Sequence, residues 1–205
     1  MHIVLVGPGR IGAMLMPRLQ QSGHNITVLS RREYGDFFNP VYDPGAACAA
    51  VSACDAIVLL AGLFELHANE ERMGQANATG PIRVAENLHA RFPKAQVIAF
   101  LDARIQRPAD ALPEAIRPYM ASKRRLARWV HGAALAWGRC CGTRVNAIAP
   151  GPVLAPPNKA HSEKGGACLT PRPTIEDIGA ALDFLLATPS VTGQILYVAA
   201  GQQLL

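Results

Sequence analysis

The sequence predicts an α/β fold: a single Rossmann-type, doubly wound parallel sheet flanked by helices, in one domain over residues 1–205. Three observations carry that expectation. Runs such as Ile3-Val4-Leu5-Val6 and Ala56-Ile57-Val58-Leu59-Leu60 are apolar throughout rather than alternating. Strands of that kind are covered on both faces, as in a parallel sheet. These runs alternate with segments of helical period, the order that builds parallel crossovers. Finally, 50% of the 205 residues are hydrophobic and 17% are charged, enough to bury a sizeable core and too apolar for a disordered chain.

The elements follow in order. Residues 2–6 read as a strand, and Gly7-Pro8-Gly9-Arg10-Ile11-Gly12 follows it. A helical pattern then runs on through Met14, Leu15 and Leu19. Gly-x-Gly-x-x-Gly between a strand and a helix is the context of a dinucleotide turn. Its glycines let backbone approach a pyrophosphate, and the helix N-terminus offers unpaired N–H groups. Gly23-His24 ends this helix and Asn25–Ser30 is the second strand. In an NAD site an acid some 20 residues past the glycines meets the ribose hydroxyls. Here Ser30-Arg31-Arg32 stands instead. Guanidinium groups pair with a 2′-phosphate that a carboxylate would repel, so the cofactor read from these residues is NADP(H). The other reading is two solvated arginines in a loop.

Residues 33–54 leave room for only a short strand near Pro40–Tyr42 and a helix near Ala46–Ser52, a truncated crossover. Ala56–Leu60 is the next strand, closed by Ala61-Gly62. A long helix over 66–91 contains Asn77 and bends at Gly80-Pro81. Ala95–Leu101 is a strand ending at Asp102, and 103–113 form a loop. A helix from Tyr119 to about Cys140 carries the small-residue face Gly132, Ala133, Ala136. Arg144–Ala149 is a strand followed by Pro150-Gly151-Pro152, and 153–172 form a proline-rich loop or short lid. Thr174, with Asp177 three residues on, caps a helix through Leu186. Gln194–Ala199 is the last strand.

Chemistry concentrates at Tyr119-Met120-Ala121-Ser122-Lys123. Positions four apart share a helix face, so the phenol and the ammonium project to one side. A free phenol titrates near 10, and a neighbouring ammonium lowers that value at about 1.4 kcal/mol per unit. Such a phenol is a useful acid–base group at neutral pH. The bland reading is an amphipathic helix with a half-buried Tyr and a solvated Lys.

Other classes find no support. The basic clusters behind the net charge of +5 and the pI of about 9.2 are short, Arg31-Arg32 and Lys123-Arg124-Arg125. They suit a small phosphorylated ligand better than nucleic acid. No apolar run reaches bilayer length and no cleavable leader pattern opens the chain. Cys48, Cys54, Cys140, Cys141 and Cys168 show no Cys-x-x-Cys spacing, so no metal is expected and the thiols are read as reduced and the protein as cytoplasmic.

Together these motifs resemble the short-chain dehydrogenase/reductase family. The Gly7–Gly12 turn, Ala61-Gly62, Tyr119-x-x-Ser122-Lys123 and Arg144-Val145-Asn146-Ala147-Ile148-Ala149-Pro150-Gly151 stand in family order, and Val191-Thr192-Gly193-Gln194 fits its C-terminal pattern. The resemblance implies Tyr119 as general acid. It gives Lys123 the tasks of lowering the Tyr119 pKa and holding the nicotinamide ribose. Asn77 either holds a relay water or satisfies backbone at a helix bend. The implied cofactor residues are Gly7, Gly9, Arg10, Ile11, Gly12, Arg31, Arg32, Ala61, Gly62, Lys123, Pro150 and Gly151.

Three departures stand out. The glycine turn is one residue short and lacks a leading Thr. A polar Asn-Asn-Ala-Gly pattern is replaced by Leu59-Leu60-Ala61-Gly62. Asp102 stands where the family has a catalytic Ser. Val97–Leu101 with Asp102-Ala103-Arg104, Gln106 and Pro108 resembles the pteridine reductase branch, with an insertion around 109–117. The expectation is an NADPH-dependent oxidoreductase reducing a C=O or C=N bond of a small molecule, such as a pteridine-like heterocycle, with Asp102 orienting substrate or joining the proton relay. It is expected to form a homodimer or homotetramer through the helices at 66–91 and 119–140. The rivals are a noncatalytic NADP(H)-binding protein and a nucleotide-sugar epimerase.

Overall fold

A computed structural model describes residues 1–31, 44–65, 69–153, 168–169 and 172–205. Within them six parallel strands form one sheet: β1 (His2–Val6), β2 (Asn25–Leu29), β3 (Ala56–Leu59), β4 (Gln96–Phe100), β5 (Val145–Pro150) and β6 (Ile195–Val198), in the spatial order β2-β1-β3-β4-β5-β6. The fold class expected from the apolar runs is therefore the one found. In register, Val6 pairs with Leu29 on one side and with Leu59 on the other. The connection from β1 runs outward to β2, and the next strand lands on the opposite side of β1. A crevice opens at that reversal, beyond the C-terminal ends of β1 and β3.

Side chains alternate across the sheet, so each strand feeds two cores. Ile3, Leu5, Val58, Ile98 and Ile148 face α1 (Gly9–Gln21) and the last helix, Ile175–Ala187. Val4, Val6, Ile57, Leu59, Val97 and Val145 face the opposite layer. There lie α2 (Gly45–Ala49), α3 (Glu70–Gly74), α4 (Gly80–Arg91) and α5 (Arg117–Cys141); Ile175–Ala187 is α6. No helix among the described residues is long and apolar enough to cross a membrane.

Several expectations need correction or qualification. The strand near Pro40–Tyr42 falls outside the described residues, and α2 starts one residue before the expected 46 and ends at Ala49. The long helix starts at Glu70, where Asn69 caps it by accepting from Glu71 N at 2.7 Å; residues 66–68 lie outside the described residues. Its bend precedes Gly80: Gln75–Thr79 form a π turn joining α3 to α4. The physical reason is Pro81, whose ring nitrogen cannot donate to the carbonyl four residues back, that of Asn77. The loop at 103–113 contains a 3₁₀ turn, Ala103–Gln106, and a second one, Glu114–Ile116, precedes α5. The stretch expected as an insertion is packed, with Leu112 and Ile116 buried. α5 opens two residues before Tyr119, with Pro118 in its first turn, and closes on Gly142 at φ +70°. Thr174 and Asp177 form the expected reciprocal cap on α6.

Candidate active site

The glycine turn occupies the reversal of strand order. Gly7 (φ +60°) and Gly9 (φ +52°) take left-handed backbone that side chains resist. Gly12 serves closeness instead: a Cβ there would stand 2.4 Å from Pro8 Cβ and 3.0 Å from Leu60 Cδ1. Pro8, at the N-cap of α1, supplies no side-chain acceptor, so the first-turn N–H groups keep their capacity for an anion. A groove of about 460 Å³ runs past Gly7, Gly9, Arg31, Gly62 and Ala76. Arg31 is exposed at the end of β2, where the NADP reading places it; Arg32 lies outside the described residues.

A second groove, of about 520 Å³, shares Gly7, Pro8, Gly9 and Gly62 with the first. Arg10, Ile11, Asp102, Tyr119, Lys123, Pro150 and Gly151 all border it. The structure thus brings the described cofactor and catalytic candidates onto one continuous crevice, with two exceptions. Gly12 is buried behind the turn, and Asn77 supports the wall of the crevice.

Lys123 is 3% exposed, and its Nζ donates to Phe100 O at 3.0 Å and to Ala61 O at 3.4 Å. These carbonyls close β4 and β3, so α5 pins both strand ends through one ammonium. An ammonium has three donors. The third has no partner among the described residues, and the side chain borders the crevice. Burial pushes Lys123 down to about 8, with the Asp102 carboxylate pulling the other way. Its Nζ lies 5.9 Å from the Tyr119 ring centroid.

The expected lowering of the Tyr119 pKa by Lys123 is not what this arrangement produces. Burial raises the phenol above its ordinary value and the Asp102 carboxylate raises it further, while Arg104 pulls it down. The phenol therefore holds its proton across the neutral range. The Tyr119 ring meets Phe64 in a T-shaped contact, centroids 4.9 Å apart.

Asn77 is fully buried in the π turn. Its Oδ1 accepts from Leu63 N at 2.6 Å, and its Nδ2 donates to Leu63 O at 2.9 Å and to Ser122 Oγ at 3.0 Å. Ser122 Oγ in turn donates to Tyr119 O at 2.6 Å. The side chain thus ties the loop after β3 to α5, and its Nδ2 also reaches Met73 Sδ in its own helix at 3.7 Å. That loop carries Gly62 and Phe64 into the crevice.

Sequence reasoning missed Arg104. It donates to Asp102 through its backbone N and its Nε, each at 2.9 Å, and through Nη2 at 2.8 Å. The signal available was only a basic residue two positions after the acid. The first half of the Arg144–Gly151 motif, expected as a strand, serves the fold rather than the crevice. Arg144 donates to Leu185 O at 2.8 Å and to Val191 O at 3.2 Å, while Asn146 bridges Val191 O and Gln194 N. These residues hold the turn between α6 and β6, and only Pro150-Gly151 reaches the crevice. A Cβ on Gly151 would meet Ala199 Cα at 3.0 Å. Among the described residues no cluster of His, Cys, Asp or Glu could hold a metal ion.

Residues 65–203 match a family model described as Enoyl-(Acyl carrier protein) reductase. No protein of curated function matches the chain. Among solved structures it is similar to a 3-alpha-hydroxysteroid dehydrogenase from Pseudomonas sp. B-0831 complexed with NADH, at 22% identity and a TM-score of 0.80 over 98% of this chain and 96% of that one. An aldohexose dehydrogenase from Thermoplasma acidophilum aligns at 18% identity and a TM-score of 0.82, covering 100% and 94%. FolM Alternative dihydrofolate reductase 1 from Brucella canis, complexed with NADP, aligns at 23% identity and a TM-score of 0.76, covering 100% and 94%. At these identities the likeness is one of fold.

Proposed function

The chain belongs to the short-chain dehydrogenase/reductase family of NAD(P)-dependent oxidoreductases, and on that premise we propose that it is an NADPH-dependent reductase of a C=O or C=N bond in a small molecule, with Tyr119 as general acid. The observation that carries the reading is that Tyr119 and the buried Lys123 border the same crevice as the glycine turn. A donor must hold its proton at working pH, and Tyr119 does.

The residues present fit a nicotinamide dinucleotide. Left-handed Gly7 and Gly9 and the uncapped N-terminus of α1 suit a pyrophosphate, with Arg10, Ile11 and Gly12 completing the turn. Arg31, followed by Arg32, suits a 2′-phosphate. Ala61, Gly62, Pro150 and Gly151 wall the inner end, and the third donor of Lys123 suits a ribose hydroxyl. Bound there, the cofactor supplies hydride. The chain's own part is to hold the substrate's polarised atom at the Tyr119 hydroxyl, give it a proton as negative charge develops, and keep Lys123 charged beside it.

Phe64 and Tyr119 offer flat apolar surface, which favours a planar substrate. A pteridine-like heterocycle is the class to try first, because the Asp102-Ala103-Arg104 stretch resembles that branch and a fold neighbour complexed with NADP is named an alternative dihydrofolate reductase. Self-association through α4 and α5 belongs to the same reading: Leu135 on α5 is 56% exposed. The test is a turnover screen of ketones and oxidised pterins with NADPH, run beside Tyr119→Phe. Turnover lost in Tyr119→Phe supports the reading; no consumption above that variant with any substrate refutes it.

A further inference from the structure

Asp102 poses a problem for the reductase reading, on which this inference rests. A carboxylate beside a general acid opposes ionisation of that acid, and a swinging one would compete with substrate for its proton. The chain answers with Arg104. We propose that Arg104 is a positioning residue: its guanidinium locks the Asp102 carboxylate and offsets its charge, so that Asp102 holds the Tyr119 hydroxyl and does not bind substrate.

An ionised carboxylate has about four acceptor positions. The backbone N and Nε of Arg104 take two on Oδ1, and Nη2 takes one on Oδ2. One position remains, on the crevice that Asp102 shares with Tyr119, whose phenol this carboxylate helps to keep protonated. Taken by the phenol, it leaves no acceptor for an N–H on a substrate. The pair is substantially withdrawn from water, the side chains being 14% exposed for Asp102 and 26% for Arg104. Charge offset therefore counts for more than at an open surface.

Arg104 is itself fixed. Arg124, next to Lys123 on α5, donates from Nε to Ile105 O at 2.9 Å and also to Arg107 O. Arg107 reaches Gln202 O at 3.0 Å. The turn after β4 is thus tied to the catalytic helix and to the C-terminal turn. Among the described residues, the charged groups facing Tyr119 are Asp102 and Arg104 from the end of β4 and Lys123 from its own helix, and the loop after β3 contributes the uncharged Phe64.

A double-variant cycle tests this. Compare kcat/KM for wild type, Arg104→Gln, Arg104→Lys, Asp102→Asn and Asp102→Asn/Arg104→Gln. Arg104→Gln should lose about 30-fold or more, the low end for truncating one partner of a buried ion pair. Arg104→Lys should recover part of that, which also guards against misfolding. Adding Asp102→Asn to Arg104→Gln should recover about tenfold, because the damage comes from the uncompensated carboxylate. A second readout needs no substrate: near-ultraviolet titration of the Tyr119 phenol, taken against Tyr119→Phe. Its onset should fall to lower pH in Asp102→Asn and rise in Arg104→Gln. The proposal is overturned if the double variant is no faster than Arg104→Gln, or if the three titrations coincide. If wild type turns over nothing yet the titrations order as stated, the reductase reading fails and the clamp stands.

Discussion

Replacing Asn77 by Ala should loosen the wall of the crevice before it touches the chemistry. Three hydrogen bonds to nitrogen or oxygen partners vanish, two to the backbone of Leu63 and one to Ser122 Oγ, together with a weak one to Met73 Sδ. At about 1 kcal/mol each in net terms, they total about 3 kcal/mol. The Leu63 groups are partly buried and can recover some hydration. Ser122 is 4% exposed and cannot, and a cavity opens in a fully buried position, so the two corrections oppose each other. For a chain of this length 1 kcal/mol moves the melting temperature by roughly 2–4 °C, giving a fall of about 6–12 °C. Thermal unfolding followed by circular dichroism, with urea titration as a check, measures it. Asn77→Asp keeps the acceptor for Leu63 N but turns an acceptor toward Leu63 O and Ser122 Oγ. It should cost at least as much at pH 7 and recover as pH falls, when the buried carboxyl takes a proton and can donate again. A loss below about 1 kcal/mol in Asn77→Ala would refute the view that this side chain braces the loop after β3.

Three further outcomes are expected. NADPH should bind about tenfold or more tighter than NADH, and Arg31→Ala/Arg32→Ala should erase the difference, since charge-assisted hydrogen bonds to phosphate carry it; equal affinities in wild type, by cofactor fluorescence, would contradict this. Lys123, pushed down to about 8 by burial, binds fewer protons folded than unfolded between that value and its ordinary one near 10.5, so stability should rise with pH through this window. Tyr119, pushed up, binds more protons folded than unfolded above its ordinary value near 10, so stability should fall there. Chemical denaturation should show the rise between about pH 8 and 9, below the range where Tyr119 and the buried Cys54 thiol, pushed up from 9 to about 12, oppose it, and Lys123→Met should abolish it. The third outcome is self-association: sedimentation at micromolar concentration should show a dimer or tetramer, which Leu135→Asp weakens, and a wild-type monomer would end that reading.

Much of this was legible in the sequence, for physical reasons. Strands covered on both faces leave continuous apolar runs, and turns that need positive φ leave glycines, so β1, Gly7, Gly9 and α1 could be placed by reading alone. The i, i+4 spacing of Tyr119 and Lys123 fixed a shared helix face. What could not be read was which of the two would dominate the other's ionisation. That depends on burial and on Asp102 and Arg104, which approach from the end of another strand. The π turn was half-visible, since Pro81 announces a missing donor but not how the chain accommodates it. The partners of Arg144 and Asn146 lie 40 or more residues away and leave no local trace.

The departures from the family pattern have a common structural answer. With Leu60 where a polar residue would brace the end of β3, no side chain from that strand can tether the loop it leads into. The tether comes instead from the opposite wall, where the Pro81-induced π turn holds Asn77 against Leu63. Leu60 meanwhile packs under Gly12, where a Cβ would stand 3.0 Å from its Cδ1, and so sets how closely α1 approaches β3. An apolar residue at position 60 and a side chain–free position 12 are therefore one arrangement, and neither should tolerate exchange alone. Gly12→Ala forces Pro8 and Leu60 to move, at about 1–3 kcal/mol. Leu60→Ala should relieve only the softer of the two contacts. The clash with Pro8 Cβ at 2.4 Å is set by backbone, so the double variant should remain destabilised relative to Leu60→Ala. Full recovery in the double variant would show that α1 leans on Leu60 rather than on its own turn.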